Sequence, residues 1–215
     1  MRIGFGTTTL ARGLEEKGLD GIGYYTKELG ESLIQLGYDL NPISFGPSNI
    51  DTLFNKTVIK LPKFSYNAAI SCVLGINHFG SQKTRNAIDL YHATDHHIPK
   101  FKDVPVVATI MDAIPMAHPE WVNQNLRALK NHLFKRTAHW ANRVTTISEY
   151  SKTDLVNYLD IQPKKIDVIP LGVDNRYFEA VDANVSTDYL AKLGLVPRSF
   201  FYASVHSSPI KTSAR

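Results

Sequence analysis

Residues 143–174 contain Arg143-Val144-Thr145-Thr146-Ile147-Ser148-Glu149-Tyr150-Ser151-Lys152 and, one helix later, Lys165-Ile166-Asp167-Val168-Ile169-Pro170-Leu171-Gly172-Val173-Asp174. Arg143 to Ile147 is short and rich in β-branched residues and reads as a strand. Ser148 or Ser151 then caps a helix that reaches about Leu159, with Ser151-Lys152-Thr153-Asp154 as a capping box. Ile166 to Ile169 is a second buried run, and Pro170 stops it. Strand, helix and strand at this spacing make a crossover unit, because parallel neighbours need a connection of about a dozen residues or more.

The same alternation extends toward the N-terminus. Arg2–Phe5, Asp39–Phe45, Ile88–His92 and Pro105–Ile110 read as strands, with a shorter one at Val58-Ile59-Lys60. Ile22, Tyr25, Leu29, Leu33 and Leu36 fall on one helical stripe, and Gly37 follows as a C-cap. Further helices are expected over about Asn67–Phe79 and Glu120–Ala141. Such alternation specifies an α/β domain, a Rossmann-like parallel sheet with helices on both faces. Ligands bind such sheets outside the C-terminal strand ends. Those ends are Gly6-Thr7, His92-Ala93, Met111-Asp112, Ser148-Glu149 and Leu171-Gly172. Periodicity is lost from Asn175 to Asp188. Residues 1–174 therefore read as the domain, 175–198 as a linker with a helical turn at Tyr189–Leu193 closed by Gly194, and 199–215 as the start of something new, with a strand at Ser199–Val205.

The 215 residues are 43% hydrophobic and 20% charged, which is enough apolar material for a core and too much for disorder. The net charge of +4 fits anionic partners such as nucleotides, phosphates or an acidic membrane surface, but is too small and dispersed to point to nucleic acid. Cys72 is the single cysteine, so no internal disulfide forms, which fits a reducing, cytoplasmic setting. The N-terminus lacks an apolar run of signal-peptide length, and no stretch approaches the roughly 18 apolar residues of a spanning helix.

Gly4-Phe5-Gly6 invites a dinucleotide reading, but that motif needs a glycine at position 9, where Thr9 stands, and a helix that opens there. The next helix is expected only near Ile22. In Asp20-Gly21-Ile22-Gly23-Tyr24 two glycines allow close backbone approach where a helix starts, an anion or sugar site or simply a Gly-capped loop. Asp112, directly after a buried strand, either accepts bonds from sugar hydroxyls or caps the following turn. His92, Asp95, His96 and His97 cluster at a strand end; adjacent His96 and His97 cannot easily share a metal, and a polar pocket loop is the better reading. No Asp-x-Asp pair occurs in the chain, so a metal-bridged nucleotide-sugar site of that kind has no support. The helix from Asn125 to Arg143 has Leu126, Leu129, Leu133 and Trp140 on one side; packing on the sheet is favoured over lying on an anionic membrane.

Four segments together resemble glycosyltransferase family 4, the large group of retaining GT-B enzymes. They are Gly21-Ile22-Gly23-Tyr24 with its helix, Ile110-Met111-Asp112-Ala113-Ile114-Pro115, and the two segments quoted at the outset, with Phe178 behind the last. The resemblance implies two Rossmann-like domains facing a cleft, this chain being the N-terminal, acceptor-binding half and the second domain missing. It implies hexosyl transfer with retention from a nucleotide-sugar to a glycan or lipid-linked acceptor, without a required metal or cofactor, in surface polysaccharide synthesis. Asp112 would be catalytic. Gly21, Gly23, Tyr24, His92, Ser148 and Glu149 would bind substrate, and Gly172 and Asp174 would face the other domain. Met111 stands where family members commonly carry His, so a hydrogen-bonding group near the transferred sugar is absent. A chain of this extent is expected to be truncated or half of a split enzyme, inactive alone, with a separate donor-binding chain as partner and peripheral membrane contact at the inner face left open. The alternatives are a non-catalytic module that binds a glycan or partner chain, and a nucleotide-binding regulatory domain.

Overall fold

Strand β1 (Arg2–Gly6) lies inside the sheet, and its two faces meet different layers. Ile3 and Phe5 point to one side, where they pack with Leu40, Leu29, Leu33 and Phe54. Gly4 points to the other, where a Cβ would lie 2.6 Å from Ile88 Cδ1, 3.0 Å from Ile43 Cδ1 and 3.1 Å from Tyr91 Cδ2. A side chain there would force Ile88 to shift, so packing favours glycine. The computed structural model describes residues 1–16, 18–121, 126–173, 175–179 and 182–196.

The chain divides into two units, Met1–Pro170 and Leu171–Arg215. In the first, β1 is followed by α1 (Thr8–Glu15), α2 (Gly21–Gln35) and β2 (Asp39–Phe45). A hairpin of β3 (Thr52–Leu53) and β4 (Lys56–Thr57) leads to β5 (Ile59–Leu61), α3 (Phe64–Leu74), α4 (Ser81–Arg85), β6 (Leu90–Ala93) and β7 (Val106–Thr109). Then come α5 (Ile114–Ala117), a 3-10 turn (Pro119–Trp121), α6 (Arg127–Ala138), β8 (Arg143–Thr146), α7 (Glu149–Leu159) and β9 (Ile166–Val168). Seven strands pair in the order β5-β2-β1-β6-β7-β8-β9, and every pairing is parallel. Helix α2 covers the Phe5 face. Phe64 and Ala68 of α3, Ala138 of α6, and Leu155 and Leu159 of α7 cover the other, against Ile43, Tyr91, Val106 and Val144. This is the expected α/β, Rossmann-like architecture.

Several expectations are corrected. A helix does open directly after β1: α1 buries Thr9, Leu10, Ala11 and Gly13. Its short apolar stripe is masked in sequence by three threonines, which are poor helix formers. Leu36 lies beyond the end of α2 and is 72% exposed; Gly23, Thr26 and Gly30 are the buried residues, and a Cβ on Gly30 would run into the Phe54 ring. The third helix starts at Phe64 and ends at Gly75 in the left-handed conformation, earlier than the expected Phe79. The long helix expected over Glu120–Ala141 is broken into the 3-10 turn and α6, with Leu126 at φ 55°. On α6 the buried residues are Thr137 and Ala138, while Leu126 and Leu129 are exposed.

In the second unit a 3-10 turn (Asn175–Phe178) precedes α8 (Ala183–Lys192), which closes at Gly194 with φ 68°. Helix α8 thus reaches back into residues expected to be aperiodic. The strand expected at Ser199–Val205 lies outside the described residues. No described helix is long and apolar enough to cross a membrane.

Candidate active site

The strand order reverses between β1 and β6: the chain leaves β1 toward β2 on one side and continues from β6 toward β9 on the other. Connections that diverge from neighbouring strands leave a crevice at their C-terminal ends. A cavity of about 700 Å³ opens there. Its walls come from Thr8, Arg12 and Glu15 of α1, the Phe45–Ser48 segment after β2, the Thr94–His97 segment after β6 and the Ile110–Asp112 segment after β7. Lys63 and Phe64 at the start of α3, and Lys130, Asn131 and Phe134 of α6, close it.

Asp95 organises one wall. It is 5% exposed, and both its oxygens are taken. Oδ2 accepts from Thr9 Oγ1 at 2.5 Å, and Oδ1 accepts from His97 N at 2.8 Å and meets His97 Nδ1 at 2.8 Å. Burial alone would raise its pKa, but His97, His96 and the Thr9 hydroxyl outweigh that and hold the carboxyl well below the usual range. His97 packs edge-on against Phe64 and parallel to Phe45, and His96 leans on His97 with ring centres 4.3 Å apart. Burial pushes His96 toward its neutral form, helped by His97 and Arg12. No group of His, Cys, Asp or Glu among the described residues is arranged to hold a metal ion.

Met111 and Asp112 both line the cavity. Asp112 Oδ1 accepts from Ile114 N at 2.9 Å, so one oxygen shapes the turn into α5. Thr9, the position that a dinucleotide motif reserves for glycine, spends its hydroxyl on Asp95. Of the Gly21–Tyr24 segment, only Ile22 reaches the cavity wall. Asp20, rather than a glycine, caps α2: its Oδ1 accepts from Gly23 N at 2.7 Å. That places a carboxylate at the helix N-terminus where an anion site was considered. Gly21 is exposed, Gly23 is buried against Leu19, and Tyr24 is 53% exposed.

His92 lies on the α2 face of the sheet, not in the cavity wall. Its Nε2 meets Thr109 Oγ1 at 2.9 Å, and that hydroxyl also meets Tyr25 OH and Thr145 Oγ1, each at 2.9 Å. Burial lowers the His92 pKa to about 4. Ser148 resolves the capping choice: its Oγ accepts from Ser151 N at 3.1 Å at the start of α7. Glu149 is exposed in the first turn of α7, and neither residue lines the cavity. Gly172 belongs to the second unit and is exposed, with nothing near the place of a Cβ. Asp174 lies outside the described residues.

Sequence reasoning missed the cavity's cationic side chains. Among the described residues, no carboxylate lies within ion-pair distance of Arg12, Lys63 or Lys130. The carboxylates in the walls are largely committed to protein donors. Glu15 accepts from Ser48 Oγ at 3.0 Å and from Asn49 N, and Asn49 N and Ser48 hold its carboxyl below the usual range. Asp95 is saturated, as described above.

A model of the family described as Glycosyltransferase Family 4 matches residues 19–177. The chain belongs to glycosyltransferase family 4. A solved structure of a glycosyltransferase from Rickettsia africae ESF-5 is similar at 15% identity and a TM-score of 0.46, over 92% of this chain and 50% of that one. The chain thus spans about half the length of that protein. No curated protein matches the chain. The stretch matched to glycosyltransferase family 4 takes in every strand from β2 to β9, whereas β1 and α1, with Thr8 and Arg12, precede it.

Proposed function

We propose that this chain is the acceptor-binding half of a retaining glycosyltransferase, which moves a hexosyl group from a nucleotide-sugar to a glycan or lipid-linked acceptor. The observation that carries the proposal is the cavity at the strand-order reversal of a family 4 domain, because that is where an α/β sheet offers converging loops to a ligand. At about 700 Å³ it falls within the usual range of small-ligand sites.

The chemistry assigned to the residues is modest. Asp112 has one oxygen free of the turn and is the group proposed to accept from the hydroxyl that attacks the sugar. The Asp95–His97–Thr9 network holds another part of the wall in place, so that little ordering cost remains when an acceptor binds. Gly21, Gly23, Tyr24, His92, Ser148 and Glu149 remain proposed substrate contacts, and Gly172 and Asp174 proposed contacts of a donor-binding domain, in the same protein or in a partner chain. The transfer as proposed uses no metal, in keeping with the lack of an Asp-x-Asp pair. We place it in the cytoplasm, at the inner face of the membrane, in polysaccharide synthesis.

Met111 supports a second reading, a module that binds a glycan without transferring sugar, since a thioether replaces a strong hydrogen-bonding group. Titration calorimetry of the chain with hexose oligosaccharides and with nucleotides tests the binding claim. Oligosaccharide binding that Ser65→Trp abolishes is expected, because Ser65 is an exposed part of the cavity wall. Preference for a free nucleotide over every glycan would refute it and put a nucleotide-binding regulatory domain in its place.

A further inference from the structure

Arg12 projects from α1, Lys63 from the residue before α3 and Lys130 from α6, three elements that reach the cavity from different sides. None has a carboxylate partner among the described residues. The nearest aromatic contact is Lys63 over the Tyr66 ring at 5.7 Å. Several other cations of the domain are paired: Arg2 with Asp89, Arg143 with Asp167, Lys135 with Asp160 and Lys60 with Asp51. Arg12, Lys63 and Lys130 thus share one cavity with no carboxylate partner among the described residues. Glu15 and Asp95 are also cavity residues, but they turn their oxygens to Ser48, Asn49, Thr9 and His97. Asp112 has one oxygen engaged by the turn, at Ile114 N.

Like charges gathered around a concave space repel one another even where they are exposed, and the cavity focuses their field. A ligand anion relieves that repulsion, and phosphate oxygens suit donors arriving from several directions. A neutral sugar would leave all three charges without partners and would gain nothing from them.

We propose that this cavity binds a phosphate or diphosphate carried by the acceptor, so that the acceptor is a phosphorylated or diphosphate-linked glycan rather than a neutral one. This rests on the acceptor-binding reading above. Arg12, Lys63 and Lys130 hold the phosphate, and the sugar it carries extends toward Met111 and Asp112. The same phosphate chemistry could come from the donor's nucleoside diphosphate, and the test separates the two sources.

The experiment is titration calorimetry of the full chain at low salt with four probes: inorganic pyrophosphate, a hexose 1-phosphate, a neutral hexose disaccharide and a nucleoside diphosphate. Pyrophosphate and the hexose 1-phosphate are expected to bind at least tenfold more tightly than the disaccharide. The triple variant R12Q/K63Q/K130Q is expected to lose at least tenfold of that affinity. A control with the same loss of charge elsewhere, K152Q/K164Q/K165Q, should keep it; all six side chains are outside the core, so both variants should fold. Equal binding of disaccharide and phosphates would overturn the inference and leave the acceptor-binding reading standing. Equal loss in both triple variants would also overturn it, as a mere net-charge effect. A nucleoside diphosphate bound more tightly than pyrophosphate, with the same dependence on the three cations, would assign the site to the donor and overturn it. Binding of none of the four would count against this inference and the acceptor-binding reading together.

Discussion

His78 should make this fold sensitive to mild acid. The ring is 1% exposed, and both of its nitrogens are buried without a partner. It lies nearly parallel to Phe64 and edge-on to Phe45, each with ring centres 5.3 Å apart. In that apolar sandwich the imidazolium has no compensation, and burial depresses the pKa to about 4. The unfolded chain binds this proton near pH 6.5. Between those values the unfolded state holds the extra proton, so stability is full above about pH 6.5, falls with acidification and flattens near pH 4. The linkage relation gives a loss of about 2 kcal/mol at pH 5 and about 3 kcal/mol at pH 4 from this one ring. His78→Leu keeps the volume roughly constant and removes the titration. Urea denaturation followed by fluorescence of Trp121 and Trp140, at pH 7 and pH 5 and constant ionic strength, reads the difference. The variant should lose about 2 kcal/mol less than the wild type between the two pH values, about 1 M in urea midpoint for a typical slope. His92, held at about 4 by burial on the other face, should leave a residual acid loss in the variant. Equal losses in the two proteins would refute the reasoning, whatever the stability of the variant at pH 7.

Gly4→Ala should cost about 1–3 kcal/mol in urea denaturation, since its Cβ meets Ile88 Cδ1, Ile43 Cδ1 and Tyr91 Cδ2 and these buried side chains must shift to admit it. Asp95→Ala should cost about 2–4 kcal/mol, because Thr9 and His97 lose a buried charged acceptor; a cost near zero would mean that water replaces the carboxylate. Ser148→Ala should cost about 1 kcal/mol through the lost cap of α7, and hydrogen exchange should then rise first in Tyr150 to Lys152.

The strands were legible because each is a run of apolar or β-branched residues bounded by a breaker, and a strand buried on both faces has little choice of composition. Hence Asp39–Phe45 falls at its expected limits and the other strands of the seven-stranded sheet shift by one or two residues, whereas the two-residue strands β3 and β4, which lack such a run, were not expected. The helices were less legible where their contacts depend on small residues. Helix α1 buries Thr9, Ala11 and Gly13 around a single leucine, so hydrophobic periodicity had almost nothing to detect. Helix α6 buries Thr137 and Ala138 and exposes two of the leucines that suggested its stripe.

The candidate site follows the same division. Strand ends marked Met111 and Asp112 as cavity residues, because a parallel sheet sends its ligands there whatever the side chains. The same rule marked Ser148 and Glu149, yet they follow β8, away from the reversal between β1 and β6, and do not line the cavity. Sheet order, which decides between two equally good strand ends, is a long-range property that no local pattern encodes. Arg12 and Lys130 sit within helices, Lys63 follows only the short edge strand β5, and none of the three carries a motif. They converge only because α1, α3 and α6 are each packed against a sheet whose order is already fixed. The electrostatics of this cavity are therefore a product of topology, and charges as far apart in sequence as Arg12 and Lys130 line one cavity only in the fold.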